Sequence, residues 1–338
     1  MDFRYKRRSA WAIAGVGTVA ALICGCGSGG LGGGASSPVV AALPGSPTLG
    51  YVWNGTEKSL RPILGVPGSS QIGVSVVPAG VYALGAGSSA SGIALLVEND
   101  GTLDEMALPN GAVSRIGGNV AAGSAIRFST SGNYALVFVP GSAAMEIVSG
   151  LGGSAQVKTV TVAQSVSDAA VSDGGVVAAA LQQSAGVAVS VIASDGSATR
   201  LMNASAIGGM AFAGGSDDLV VADSAANALS VVRKAGSSPS VQVIGSGGML
   251  NGAVGVGVSR DARWVVVANG GDAGVVRVDL TAQVAAQKTT CNCKPLGVTL
   301  LTGTAVFRVS DAASGPAWMM DASAVAAPRM LFIPAVKP

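Results

Sequence analysis

No histidine occurs among the 338 residues of this chain, so Ser-His-Asp and Cys-His catalysis fall away, as does every His-ligated metal or haem. Carboxylates and thiols remain as the groups able to do chemistry. Asp223, Asp272 and Asp311 each follow a short apolar run, and Gln182, Asn227 and Asn269 stand at comparable places. Gathered around one rim, such groups would serve as general acid and base or as polar contacts for a ligand. Asp and Asn are also what tight turns require, because their side chains accept hydrogen bonds from the backbone just ahead. Cys291 and Cys293 lie in Thr290-Cys-Asn-Cys-Lys-Pro295, where an extended backbone points residues two apart to the same side. Outside the cytoplasm the leading expectation is a disulfide between them. Two free or redox-active thiols are an alternative, and a metal site would need further ligands. No Asp-rich segment has the spacing of a calcium loop, so no metal and no cofactor are expected.

What must position these residues is a repeat. Its unit is an apolar strand, a short turn, a stronger strand, a polar loop, a third strand and a more polar fourth one, clearest over Gly255–Leu280. Second strands are expected near Tyr82, Tyr134, Val177, Leu219, Trp264 and Val306, at steps of about 52, 43, 42, 45 and 42 residues. Leu219–Asp223, Trp264–Asn269 and Ala135–Val139 are apolar on both faces, as strands sandwiched between neighbouring sheets must be. Ser129–Asn133, Ser172–Gly175 and Ser259–Arg263 supply small or turn-forming residues for the hairpins that precede them. The pattern predicts an all-β propeller of four-stranded blades over residues 50–338. Six copies plus an early strand pair, Leu49–Trp53 and Leu60–Leu64, favour seven blades over six. The early pair would join Ser37–Leu43 and the C-terminal end in a composite blade that leaves no open edge.

Ser259-Arg-Asp-Ala-Arg-Trp-Val-Val-Val-Ala-Asn269, followed by Gly274-Val-Val-Arg-Val-Asp-Leu280, resembles the YVTN-type, WD40-like β-propeller repeat. It departs at Arg260, where that family usually has Pro, and at Ala262, where Gly is usual. The other copies keep only the hydrophobic outline. The resemblance implies a radial fold that hosts both enzymes and binding proteins, and so leaves function open. In such a fold the loops between second and third strands share one face with the crossovers between blades. These loops are read as Gly85–Ser91, Pro140–Ala143, Gln182–Ala185, Asp223–Asn227, Asn269–Asp272 and Asp311–Gly315. Being short, they would form a shallow rim suited to a polymer or protein surface rather than a deep pocket. The rim contacts expected on this reading are Gln182, Asp223, Asn227, Asn269, Asp272 and Asp311.

The N-terminal 25 residues have a different logic. Arg4, Lys6, Arg7 and Arg8 precede an apolar stretch from Ala10 to Ile23, too short for the roughly 20 residues that span a bilayer. The sequence Ile23-Cys24-Gly25-Cys26 that follows resembles the lipobox of bacterial lipoproteins, in which the cysteine after the cut is acylated. Cys26 is the better lipidation candidate because Gly25 before it is small, whereas Cys24 follows bulky Ile23. The resemblance implies several acyl chains, palmitate among them, on one cysteine, and each buried methylene contributes roughly 0.8 kcal/mol to anchoring. Residues 26–49, rich in Gly and Ser, read as a tether between this anchor and the folded body. Gly27 is not the aspartate of familiar inner-membrane retention, so a lipid-anchored outer-membrane or surface location is expected.

Removing residues 1–25 leaves about 16 basic against 17 acidic side chains, with no basic cluster after Arg8. Nucleic acid is therefore not an expected partner, since phosphate binding needs clustered Lys and Arg. Two functional classes survive. A non-catalytic binding or scaffold propeller for an envelope protein or glycan leads, because it needs no special residue. The alternative is a hydrolase resembling propeller lactonases, which would need charged groups converging in the central funnel. Trp53, Trp264 and Trp318 are placed like strand core rather than like the stacked cofactor site of a quinoprotein.

Overall fold

The structure is a computed structural model that describes residues 46–282, 285–310, 316–324 and 326–334. The signal segment, Cys24, Cys26, most of the tether, Ser37–Leu43 and Asp311 lie outside the described residues.

Seven antiparallel sheets form the blades of the propeller. Blade 1 holds β1 (Thr48–Asn54), β2 (Ser59–Val66) and β3 (Ser69–Ile72). Blade 2 holds β4 (Tyr82–Ser88), β5 (Ile93–Glu98), β6 (Leu103–Ala107) and β7 (Val113–Gly117). Blade 3 follows with β8 (Ala125–Phe128), β9 (Tyr134–Phe138), β10 (Ala144–Ser149) and β11 (Gln156–Thr161). In blade 4 the strands are β12 (Val166–Val171), β13 (Val177–Gln182), β14 (Val187–Ile192) and β15 (Ala198–Ala204). Blade 5 has β16 (Ile207–Phe212), β17 (Leu219–Asp223), β18 (Ala228–Arg233) and β19 (Ser240–Ser246). Blade 6 has β20 (Ala253–Val258), β21 (Trp264–Asn269), β22 (Gly274–Asp279) and β23 (Gln287–Thr290). Blade 7 closes the ring with β24 (Thr299–Leu300), β25 (Val306–Arg308), β26 (Ala317–Asp321) and β27 (Arg329–Ile333).

Burial follows the sequence gradient within each blade. The second strands β17 and β21 are buried along their whole length, because both faces press against neighbouring sheets. The outer strands β11 and β23 are polar and partly exposed, which offers little hydrophobic face to another chain, whereas β19 leaves Val241 and Val243 exposed. Apolar clusters sit between adjacent blades; one joins Val220, Leu229 and Val231 of blade 5 to Val256, Val265 and Val276 of blade 6.

Two sequence expectations need correcting. Tyr82 begins β4, a first strand, and the second strand of that blade is β5. Counted from Ile93, successive second strands start 41, 43, 42, 45 and 42 residues apart, which removes the irregular first step. Gly85–Ser91 is accordingly the end of a first strand and the hairpin after it, on the opposite face from the rim loops. Tyr82 misleads because an aromatic opens the second strands at Tyr134 and Trp264, and here the same residue type opens the strand before.

The second correction concerns ring closure. β27 pairs with β26 inside blade 7, and among the described residues blade 1 consists of β1, β2 and β3, with no strand from the C-terminal end. Among the described residues the ring closes by packing instead. Leu49, Val52 and Ile63 share a buried cluster with Leu301, Val306, Met319 and Ile333. Thr302 donates from its backbone N–H to the Leu49 carbonyl and from its hydroxyl to the Thr48 carbonyl. Gly50 makes this possible: a Cβ there would lie 2.5 Å from Leu301 Cδ2.

Candidate functional site

The first strands β1, β4, β8, β12, β16, β20 and β24, each at the inner edge of its sheet, surround the central axis. The second-to-third loops lie on one face with the blade crossovers, and hydrogen bonds link the two. Asp223, at the end of β17, accepts from the backbone N–H groups of Ser205 and Ala206 in the crossover and of Ala225 and Ala226 in its own turn. Burial pushes its pKa up, yet these four donors outweigh that and hold the carboxyl below its ordinary value. Asn227 adopts φ 49°, the left-handed conformation Asn tolerates, and its Oδ1 accepts from Gly252 N–H at 2.8 Å.

Asn269 is fully buried, and its Nδ2 donates to the Met249 carbonyl and to Asp272 Oδ1. Asp272 also accepts from Gly274 N–H and pairs with Lys288. Burial raises the Asp272 pKa and these partners lower it, with a net shift downward. Gln182 stands exposed at the end of β13, its backbone N–H bonded to the Ser165 carbonyl. The expected rim residues thus reach one face, but Asp223, Asn227 and the Asn269 amide nitrogen bond turns to crossovers, Asp272 is held within its turn and by Lys288, and the buried Asn269 Oδ1 has no partner. Asp311 lies outside the described residues. Cys291 and Cys293 are joined as a disulfide with Cα atoms 5.0 Å apart, in the crossover from blade 6 to blade 7. Cys291 is buried there, and its N–H donates to the Ala273 carbonyl.

A cavity of about 430 Å³ occupies the axis, within the range of small-molecule sites. The loops are short, as expected, but the pocket is made by strands rather than by loops. Its wall carries Arg127 from β8, Asp168 from β12, Arg260 from the hairpin after β20, and Arg308 from β25. Arg127 Nη2 lies 3.8 Å from Asp168 Oδ1; the arginine side chain is about half exposed and the carboxylate largely buried. A register shift between Val166 and Asp168 leaves an extra residue in β12, and such bulges re-aim the side chains beside them. Burial raises the Asp168 pKa; Arg127 and the backbone N–H groups of Ala169 and Met210 oppose the rise without cancelling it. Arg308 donates to Thr299 Oγ1 and to the Ser310 carbonyl.

The two ends of the cavity differ. On the hairpin face Thr130 Oγ1 donates to the Phe212 carbonyl, and Asp173 accepts from Ser131 N–H in blade 3 and Gly215 N–H in blade 5. These bonds draw hairpins together over that end. On the crossover face Val254 and Leu296 line the cavity with 40% and 52% of their surface exposed, an apolar lip in contrast to the Arg127–Asp168 pair.

Arg127 and Asp168 are not among the residues expected from the sequence, whose polar candidates lie in loops. A signal was present: each is the third residue of a first strand, in Ala125-Ile-Arg-Phe128 and Val166-Ser-Asp-Ala169, and first strands edge the axis. Among the described residues no tryptophan forms an aromatic sandwich. Trp264 is buried between the guanidinium groups of Arg263 and Arg277, Trp318 meets Phe332 edge-on at 5.4 Å, and Trp53 borders the cavity. No group of three or more His, Cys, Asp or Glu placed to hold a metal occurs among the described residues.

No family model matches the chain, and no curated protein matches it by sequence. Solved structures match the fold. Virginiamycin B lyase from Staphylococcus aureus aligns at TM-score 0.55 and 11% identity over 75% of this chain and 84% of that one. A candidate 6-phosphogluconolactonase from Bacteroides fragilis gives TM-score 0.60 and 12% identity over 86% and 95%. A protein of unknown function from Desulfotomaculum acetoxidans gives TM-score 0.56 and 13% identity over 86% and 100%. Reactions differ among proteins that share an architecture, so likeness at this level supports the β-propeller fold, whose seven blades the sheets themselves show, and carries no activity over to this chain.

Proposed function

We propose that this protein is a lipid-anchored propeller of the bacterial cell envelope that binds a partner, an envelope protein or glycan, without transforming it. The observation carrying this reading is the state of the rim carboxylates. Asp223 and Asp272 are each held below the ordinary carboxylate pKa, so neither is a proton donor near neutral pH, and their oxygens are already engaged by backbone N–H groups, Asn269 and Lys288. A rigid ring with small, internally bonded loops presents a preorganised surface, which favours recognition because little ordering is required on binding. The lipobox-like Ile23-Cys24-Gly25-Cys26 supports anchoring through an acylated Cys26, with the Gly/Ser-rich tether lifting the ring from the bilayer.

The test is crosslinking on intact cells followed by mass spectrometry of the N-terminal peptide and of captured neighbours. An acylated Cys26 with one reproducible envelope protein or glycan attached is the expected result. An unmodified N-terminal peptide would overturn the anchoring, and capture without a reproducible neighbour would overturn the scaffold role.

The runner-up is a lactonase-like hydrolase acting on a small extracytoplasmic substrate. What favours it is Asp168, a buried carboxyl of raised pKa beside Arg127 in the axial cavity, with the fold shared by the Bacteroides fragilis protein as background. Lactone hydrolysis abolished by Asp168→Asn would move the assignment to this reading.

A further inference from the structure

We infer that the axial cavity is a binding site for a small carboxylate with an apolar body, with Arg127 anchoring the acid group and Val254 and Leu296 receiving the apolar part. This rests on the binding reading of the protein and names a ligand class for a second place in the ring, apart from the rim.

Charge balance is the first ground. Among the described residues, and leaving aside Arg308, which has partners of its own, the wall sets Arg127 and Arg260 against the carboxylate of Asp168, an excess of one positive charge. A ligand carboxylate would relieve that excess, and in a cavity walled by protein the attraction is screened less than on an open surface. Arg127 suits the task because Asp168 lies 3.8 Å away, beyond a normal hydrogen bond, so the pair leaves donors of the fork free for bidentate contact. Asp168, largely buried at the register shift of β12, acts as a positioning group beside the guanidinium. Arg308 is engaged with Thr299 and Ser310 and is given no part in holding the acid group.

The second ground is the apolar lip. Buried valines fill the second strands, yet Val254 and Leu296 leave much of their surface open at the cavity wall. Gly297 beside Leu296 meets no atom within 4 Å of where its Cβ would stand, so the wall leaves open space there. The Thr130–Phe212 and Asp173 bonds cross the hairpin end, whereas the lip lies at the crossover end. A cavity of about 430 Å³ takes a ligand on the order of 20 non-hydrogen atoms, enough for an aromatic or short aliphatic acid. A purely ionic ligand would leave the lip uncovered, and a neutral one would leave the excess charge unmet.

The experiment uses the full-length acylated protein in nanodiscs and calorimetric titration with 3-phenylpropionate, 3-phenylpropanol and 3-phenylpropylamine. Expected is binding of the acid at least tenfold tighter than the alcohol, with no binding of the amine. Arg127→Gln should abolish the preference for the acid while leaving the alcohol unchanged, and Arg127→Lys should keep it within a few-fold. Leu296→Ser should weaken acid and alcohol alike. Acid and amine binding equally, or an acid preference that survives Arg127→Gln in a protein with an unchanged melting curve, would overturn the inference. So would the absence of acid binding up to millimolar concentration. A partner still captured by crosslinking in that case leaves the scaffold reading standing, whereas acid binding by a protein that captures no neighbour separates the two in the other direction.

Discussion

Trp264→Ala is the sharpest test of how the ring is held together. The indole opens β21, is 7% exposed, and lies in the cluster between blades 6 and 7 with Val266, Val275, Phe307 and Met320. Two cations stack on its faces: the guanidinium carbons of Arg263 and Arg277 stand 4.4 and 4.2 Å from the ring centroid. Arg277 is itself buried and donates to the Ala322 and Ala324 carbonyls of blade 7 and to Gln287 Oε1, so the indole supports the arginine that latches the two blades. Burial lowers the Arg277 pKa, with Asp279 pulling it back, which marks a cation that needs its partners. Truncating a buried Trp costs about 3–5 kcal/mol through lost burial and the cavity left behind. The stacked cations add roughly 0.5–2 kcal/mol, and water entering beside Arg277 returns part of the cost of burying it. The net expectation is a loss of about 4 kcal/mol in urea unfolding followed by circular dichroism. At roughly 2–4 °C per kcal/mol for a domain of this size, the melting point should fall by about 8–16 °C. Trp264→Phe should cost less, since it keeps a ring face for the cations. In an Arg277→Met background the same truncation should cost about 1 kcal/mol less, because the stacking partner is already gone. A loss below about 1.5 kcal/mol for Trp264→Ala, or costs that simply add in the double variant, would refute the latch.

Asp104 in β6 has its pKa pushed up to about 6, first by burial and then by Glu98, with Arg115 opposing. The folded state therefore holds a proton that the unfolded chain, near 3.8, has released, so this contribution is complete below about pH 4 and is lost as pH rises through 6. Asp104→Asn should flatten that slope in urea titrations between pH 4 and 7 and raise stability at pH 7 by about 1–2 kcal/mol; an unchanged slope would contradict it. Asp223→Ala removes the acceptor of four backbone N–H groups and should cost about 2–3 kcal/mol by thermal melt; a neutral result would return Asp223 to the list of ligand contacts. Ala262 is held at φ 56° in the hairpin before β21, so Ala262→Gly should stabilise by up to about 1 kcal/mol, and a loss would mean the methyl packs usefully. Cys26→Ala should release the protein from sedimenting membranes into the soluble fraction, and retention in the membrane pellet would defeat the anchoring proposal.

How far the site was legible differs from residue to residue. Asp223 and Asn269 could be placed on one rim from the repeat alone, because both end a second strand whose register is fixed by its apolar run. What they bond to could not be read. The acceptors and donors come from crossovers 17 to 20 residues away in sequence, such as Ser205 for Asp223 and Met249 for Asn269. Tyr82 was misplaced by one strand because local residue type does not say which strand of a blade it opens. The disulfide was readable, since two cysteines one residue apart in a tight segment have few other partners.

The sequence by itself determined the all-β class, the four-stranded period and the alternation of hairpins and crossovers. All of these rest on local hydrophobic periodicity and turn chemistry. It also excluded histidine chemistry outright. Only the tertiary structure decided that the ring has seven blades with a first blade of three described strands, that β27 completes its own sheet, and that the rim carboxylates are internally satisfied. It alone brought Arg127 and Asp168 to the axis, from strands 41 residues apart in sequence. The physical reason is that a strand's pattern records which of its faces is buried but not which neighbour buries it. That choice is made by closure of the whole ring, where glycines such as Gly50 and Gly255 let one inner strand press against the next.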